Sequence, residues 1–332
     1  MATRFATSDP IERPLEVATS AADEPTPAFG TDQLAEAAAY YAEQGYVVVR
    51  GVVPAEVCAR ANDAFDDEVK ADRRSFYRLS GTPEPHRYTE AGFMLDGVRD
   101  VQSLDRRHHP EFRRASLDVV THPGLSELIR VVLGEPGKVV QTMYFEGNPA
   151  TQPHQDTYYL DAEELGRMVA AWVACEPIAP GAGRFYVCPG SHRLDLPRNA
   201  GEHNIAEHHE RYVAAVADAM ASVPLEVRAP ALDTGDVLLW ASGTIHGSLR
   251  TDQPERSRRS FTAHYIPDSS RFLQWQRRVV PLGLLTVGGI RVHHPKDLNR
   301  AVNRVRYAAE TRFPGAMERM KHLVTSRMLR RP

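Results

Sequence analysis

Between residues 139 and 266 the chain is cut into short β-rich runs, and that punctuation limits its fold more than any other feature. Val139 to Glu146, Met168 to Glu176, Arg184 to Cys188, Leu225 to Ala229, Asp236 to Trp240, Ile245 to Leu249 and Arg259 to Ile266 are the runs. Each is rich in β-branched or aromatic residues, and turns containing Gly, Pro or Asp separate them. Many short strands so spaced predict two packed sheets. The expected class is mainly β with flanking helices (α+β), built on a jelly-roll or cupin-like double-stranded β-helix core. Asn204 to Ala221 breaks the pattern as a polar helix inserted between strands, a lid candidate.

The flanks read differently. Thr31-Asp32 caps an Ala-rich helix that runs to about Gln44 and stops at Gly45. Tyr46 to Val49 is a short buried strand, and Pro54 opens a helix through about Lys70. Asp72 to Pro110 has little periodicity and reads as loops around a site mouth. Within it, His108-His109 with Glu111 is read as an exposed turn because of Pro110, not as a metal pair. Helix returns at Pro123 to Leu133, closed by Gly134. Asp297 to Arg312 and Pro314 to Arg330 read as helices, with Leu298, Val302 and Val305 on one face of the first. Met1 to Gly30 carries four prolines and no apolar h-region, and reads as a disordered leader. The expected organisation is therefore a leader (1–30), a catalytic-sized domain (31–290) and a basic helical C-terminal extension (291–332).

Composition excludes some functions. Net charge is −3 over 332 residues, and no run of eighteen apolar residues exists to make a helical membrane span. Cys58, Cys175 and Cys188 are far apart, with no Cys-x-x-Cys pair, which argues against a disulfide framework or structural zinc and for a cytoplasmic location. Arg291 to Pro332 holds eleven Lys and Arg against three Asp and Glu. That stretch reads first as a solvated basic helix, and alternatively as a docking face for an acidic partner. It lacks the aromatic interleaving of a nucleic-acid surface. No sequence signal fixes the oligomeric state.

The chemistry lies in His154-Gln155-Asp156 and in His246, ninety-two residues further on. Residues two apart in an extended segment share a face, so His154 and Asp156 can meet one ion. Two imidazoles and one carboxylate make the facial triad of non-heme Fe(II) oxygenases, leaving open positions for small molecules. Arg258 and Ser260 also share a face and suit a carboxylate. Arg256 and Arg259 are rivals; Arg258 is preferred over Arg259, which has the opposite parity to Ser260 and Thr262.

These pieces resemble the phytanoyl-CoA dioxygenase family of Fe(II)/2-oxoglutarate oxygenases over about Gln33 to Pro267. The resemblance rests on Gly45 to Gly51, His154-Gln155-Asp156, Trp172-Val173-Ala174, Cys188 to Arg193, Gly235-Asp236-Val237, His246-Gly247-Ser248 and Arg258-x-Ser260. Arg184-Phe185-Tyr186 and Glu146 depart from the family's usual pattern. It implies iron on His154, Asp156 and His246, with O2 and 2-oxoglutarate as cosubstrates and the far carboxylate of 2-oxoglutarate on Arg258 and Ser260. Gln141, Tyr144 and Trp172 are further cofactor-binding candidates. Gln141 and Tyr144 lie on opposite faces of one strand, so only one is expected inward. Tyr158 and Tyr159 are placed at the substrate mouth, and His192 in a structural turn. The implied activity is hydroxylation of a small-molecule metabolite, with specialised metabolism as the expected setting and succinate and CO2 released. Desaturation, cyclisation or epimerisation at the same residues, a non-catalytic metabolite-binding jelly roll and a zinc-type hydrolase are the alternatives.

Overall fold

In the computed structural model, which describes residues 3–5, 15–198, 205–223, 225–317 and 319, Gln33 and not Thr31-Asp32 is the N-cap of the first helix, without a side-chain hydrogen bond. Helix α1 (Leu34–Gln44) stops at Gly45, whose φ of 77° only glycine adopts without strain. Helix α2 (Ala55–Ala64) continues as one wide turn over Phe65–Lys70. Helix α3 (Pro110–Val120) starts on Pro110, which corrects the expected exposed turn. Proline is favoured at the first helical position, so this residue opens a helix instead of marking a loop. His109 is buried and bonds Asp72 Oδ2 through Nε2 at 2.8 Å, while His108 is exposed. Helix α4 (Pro123–Leu133) follows at once.

Eleven strands build the one large and one small sheet that position the site. In chain order they are β1 (Ala28–Phe29), β2 (Tyr46–Val49), β3 (Val98–Arg99), β4 (Gly137–Phe145), β5 (Val169–Ala174), β6 (Phe185–Val187), β7 (Val237–Ala241), β8 (His246–Ser248), β9 (Ser260–Pro267), β10 (Leu284–Val287) and β11 (Ile290–His293). The large sheet runs β10-β11-β4-β9-β5-β7-β2-β1, with β3 also on β4. The small sheet pairs β6 with β8. Leu225 to Ala229, expected as a strand, contributes only a bridge between Arg228 and Val187.

Period-two alternation assigns the two faces of the large sheet. Val47, Val49, Val169, Ala171, Val173, Val237, Leu239, Phe261, Ala263 and Tyr265 pack against the helices. Val48, Ala170, Trp172, Leu238 and Trp240 face the small sheet with Phe185 and Val187. The register slips between His264 and Tyr265, where β9 skips Val140 of β4. This bulge turns the parity, so Val139 packs under the helices while Val140, Gln141, Met143 and Phe145 line an internal cavity.

Both ends of the chain depart from the expected domain boundaries. Val17 and Ala18 are buried, Arg184 Nη1 donates to Ala18 O at 2.6 Å, and β1 pairs with β2. The later part of the expected leader is thus ordered against the sheet. Burial of Arg184 is satisfied in part by that carbonyl. At the other end β11 joins the large sheet beside Val139, so the β domain runs past residue 290. Helix α6 (Ala301–Arg312) docks by Tyr307 Oη on Ser75 O and by the buried Glu310 on Tyr77. Val302 and Val305, on the apolar face of this helix, are 66% and 71% exposed. Residues 320–332, within the last expected helix, lie outside the described residues.

Candidate metal and cosubstrate site

The open ends of the two sheets meet where β8 begins. His154 N donates to His246 O and His246 N to His154 O, both at 3.0 Å, so the two distant segments pair as a short bridge. His154, Asp156 and His246 each offer one ligand atom, and these atoms lie within 4.8 Å of one another. Both His Nε2 atoms stand 3.5 Å from Asp156 Oδ1. Their Nδ1 atoms stand 2.9 Å from Gln152 O and Thr244 O respectively. With the carbonyls accepting from Nδ1–H, each Nε2 carries the free lone pair that a metal requires.

Asp156 is held from behind. Trp240 Nε1 donates to Oδ2 at 2.9 Å and His264 Nε2 stands 3.3 Å from the same oxygen. That leaves Oδ1 turned toward the two imidazoles, as one-oxygen coordination needs. Burial opposes ionisation of Asp156, but the surrounding His246 and His264 outweigh it and hold the carboxyl well below the usual range. Burial lowers His246, whereas at His154 the bond to Asp156 outweighs burial and raises it. The donor set fits a divalent ion with open positions: two nitrogens, one oxygen, and no fourth His, Cys, Asp or Glu in the group among the described residues. Trp240→Phe keeps the packing and removes the restraint on Oδ2. It is expected to weaken divalent-metal affinity about 10-fold, the lower edge for an outer-shell partner. A metal titration with unchanged affinity would refute that role.

The triad opens on a cavity of about 610 Å³. Thr262 and His264 line it from β9 and Arg258 from two residues before that strand, and Ser260 has the same parity. Arg258 is 2% exposed, donates from Nη1 to Gly183 O at 2.9 Å, and has no carboxylate in ion-pair range among the described residues. Burial pushes its guanidinium down to about 9. Ser260 Oγ is buried with no hydrogen-bond partner. The rivals are elsewhere: Arg256 is exposed, and Arg259 pairs with Asp66 and Glu146. Glu146 faces away from the cavity, bonded to Lys70 and Met94 N.

Gln141 and Trp172 line the cavity, and Tyr144 does not. Tyr144 is fully buried on the helix side, donating to Asn62 Oδ1 among Phe65, Phe112 and Phe261, which corrects its expected role. Tyr159 lines the cavity, while Tyr158 stacks on Tyr212 of α5 (Ile205–Ser222). Trp240, His264 and Phe185 were not read from the sequence as site residues. The parity 258, 260, 262, 264 carried the signal for His264. Phe185, stacked 5.3 Å from His246, carried none.

Comparison with known proteins fits this geometry. Phytanoyl-CoA dioxygenase domain-containing protein 1 of Mus musculus is 25% identical over 252 residues, 67% of this chain and 79% of that protein. The 1-deoxypentalenic acid 11-beta-hydroxylase of Streptomyces arenae is 25% identical over 246 residues, 70% of this chain and 80% of that one. Among solved structures, the epimerase SnoN with Fe3+, alpha ketoglutarate and nogalamycin RO superposes with a TM-score of 0.56 at 19% identity, over 80% of this chain and 99% of that chain. The non-heme alpha ketoglutarate dependent carbocyclase SnoK gives 0.52 at 23% identity, over 71% and 85%. The structural likeness shows a shared fold. The phytanoyl-CoA dioxygenase (PhyH) family model matches residues 41–260, a span that holds every one of the ligand candidates above. The chain belongs to the phytanoyl-CoA dioxygenase family.

Proposed function

We propose that this protein is a non-heme Fe(II)/2-oxoglutarate-dependent dioxygenase that hydroxylates an unactivated C–H bond of a small-molecule metabolite. His154, Asp156 and His246 would hold the iron. Arg258 would hold the far carboxylate of 2-oxoglutarate, with Ser260 adjacent. The observation that carries the reading is Arg258: a buried guanidinium without an acid, on the wall of the cavity that holds the triad. A buried charge is costly unless paired, so this position calls for an anionic ligand. A hydrolase built on the same three ligands has no need of it.

Iron, 2-oxoglutarate and O2 would together supply the oxidising power: O2 gives one oxygen atom to the substrate C–H bond and the other to succinate as 2-oxoglutarate loses CO2. The chain's own residues bind and orient. Trp240 and His264 fix the carboxylate, and Trp172 and Phe185 wall the triad side of the cavity. Val140, Leu160, Val213, Phe272 and Val280 offer an apolar lining away from Arg258, suited to excluding water from a largely apolar substrate. The hydroxylase from Streptomyces arenae supports hydroxylation, whereas SnoN and SnoK support epimerisation and ring closure as outcomes on a similar scaffold.

No helix among the described residues is long and apolar enough to cross a membrane. The free Cys58, Cys175 and Cys188 support a reducing, cytoplasmic setting. The basic stretch from Arg291 supports contact with an acidic partner or substrate group.

Fe(II) followed by 2-oxoglutarate, added without oxygen, is expected to give the weak visible charge-transfer band of a chelated 2-oxo acid. Admission of air should then release succinate. Absence of the band, with tight zinc binding in its place, would sink the oxygenase reading.

A further inference from the structure

We infer that Tyr212, on the inserted helix α5, is a positioning residue for the metal ligands, holding the peptide of Gln155 between His154 and Asp156. The inference rests on the metal-binding reading above. Tyr212 is 1% exposed, and its hydroxyl is used twice. It accepts from Gln155 N at 2.5 Å and donates to Gln155 O at 3.1 Å. Its ring stacks on Tyr158 with centroids 3.8 Å apart and planes 12° from parallel.

The clamp continues through the side chain it holds. Gln155 Nε2 donates to Gly243 O at 2.5 Å, three residues before His246. His154 and His246 are also joined by their paired backbone bonds. One hydroxyl therefore fixes a peptide flanked by two ligands, and that residue's amide secures the turn leading to the third. Without the hydroxyl, the buried Gln155 N–H would lose its acceptor, and Gln155 O would keep only the long bond from Tyr158 N at 3.4 Å. A metal site tolerates only about 0.5 Å of drift in its ligands, so slack at Gln155 is felt at the ion.

The same helix meets the cavity. His209 and Val213 line it on either side of Tyr212 in sequence, and His209 Nε2 stands 2.8 Å from Tyr159 Oη. Residues 209 and 213 are one turn apart with Tyr212 next to them, so α5 presents one stripe to the cavity and Tyr212 to the ligand loop. Whatever displaces His209 or Val213 moves the helix that holds Gln155. The inserted helix is thereby part of the metal site, not only its cover.

The test uses the full chain, titrated with Fe(II) without oxygen, with the visible band recorded at saturating 2-oxoglutarate. Tyr212→Phe keeps the stack and removes the hydroxyl. It is expected to weaken Fe(II) binding about 10-fold, in the range for an outer-shell partner, and to shift the band. Val216→Ala loosens the same helix at a buried position without touching Gln155; it should lower the melting temperature and leave Fe(II) affinity unchanged. Gln155→Ala, which cuts the side-chain ties to Gly243 O and, at 3.5 Å, to Ser191 O while sparing the Tyr212 hydroxyl, should weaken Fe(II) binding and gives a second test should Tyr212→Phe not fold. Tyr212→Phe binding iron as the wild type does, or Val216→Ala weakening it as much, would overturn the inference. A wild type that takes up no iron would overturn the proposed function itself.

Discussion

Replacing Arg258 with methionine is expected to stabilise the apoprotein while removing most of its grip on 2-oxoglutarate. Arg258 is almost fully buried, with one good bond to Gly183 O and a long one, 3.4 Å, from Nε to Gly147 O. Phe145 lies with its ring 5.7 Å from the guanidinium carbon. Two neutral carbonyls do not repay the desolvation of a cation, which amounts to several kcal/mol even after relaxation. The depressed value near 9 states the same imbalance. For a base lowered by folding, the penalty is full below the folded value. It fades only as pH rises from about 9 toward the guanidinium's ordinary, higher value. At neutral pH the whole penalty is present, so an apolar chain of similar length should raise the melting temperature by a few degrees. Binding moves the other way: losing one partner of a buried charge pair costs about 2–5 kcal/mol, so the Kd for 2-oxoglutarate should rise about 30-fold or more. Thermal melts without metal and 2-oxoglutarate titrations with Fe(II) under nitrogen measure both. A variant that melts lower and binds 2-oxoglutarate normally would make Arg258 a structural residue.

The same position shows how much of the site the sequence carried. Strand parity alone separated Arg258 from Arg259, and the salt bridges of Arg259 with Asp66 and Glu146 agree. Parity also allowed only one of Gln141 and Tyr144 to face inward, but it could not say which. The choice depends on which sheet face the helices cover, a long-range fact. The bulge at Val140 adds a local one that no period-two pattern contains. Gly45 and Gly134 ended their helices as read, because a left-handed terminus is a local requirement. The ordered segment before residue 30 and the strand at 290–293 were missed for the opposite reason. Both gain their order from partners far away in sequence, Arg184 and Val139. Helix α6 makes the point most sharply. Its apolar stripe left open which face packs on the domain, and the buried residue is Glu310, fixed by Tyr77, Lys296 and Arg306. A paired carboxylate can occupy the interior that a hydrophobicity pattern assigns to valine.

Asp156→Asn is expected to abolish tight Fe(II) binding while leaving the fold intact, and the reason lies behind the carboxylate. An asparagine has one acceptor atom and one donor group where aspartate has two acceptors. Trp240 Nε1 can only donate, and it sits 2.9 Å from Oδ2. The amide must therefore turn its oxygen to Trp240 and His264, which places the NH2 between the two imidazoles where Oδ1 now lies. The opposite rotamer would set N–H against N–H in a buried site, an unpaired arrangement costing about 1–3 kcal/mol per group. The isosteric change thus presents a donor to the metal and removes a charge. Its effect should exceed the roughly 100-fold upper range seen for outer-shell losses. Asp156→Ala should bind as little iron but also melt lower, since it leaves Trp240 Nε1 and His264 Nε2 without their acceptor. Far-ultraviolet spectra and melts test the fold, and anaerobic Fe(II) titrations with the 2-oxoglutarate band test the site. If Asp156→Asn bound Fe(II) within a few-fold of the wild type, the carboxylate would be a brace between the sheets, and the open coordination site would have to be sought elsewhere.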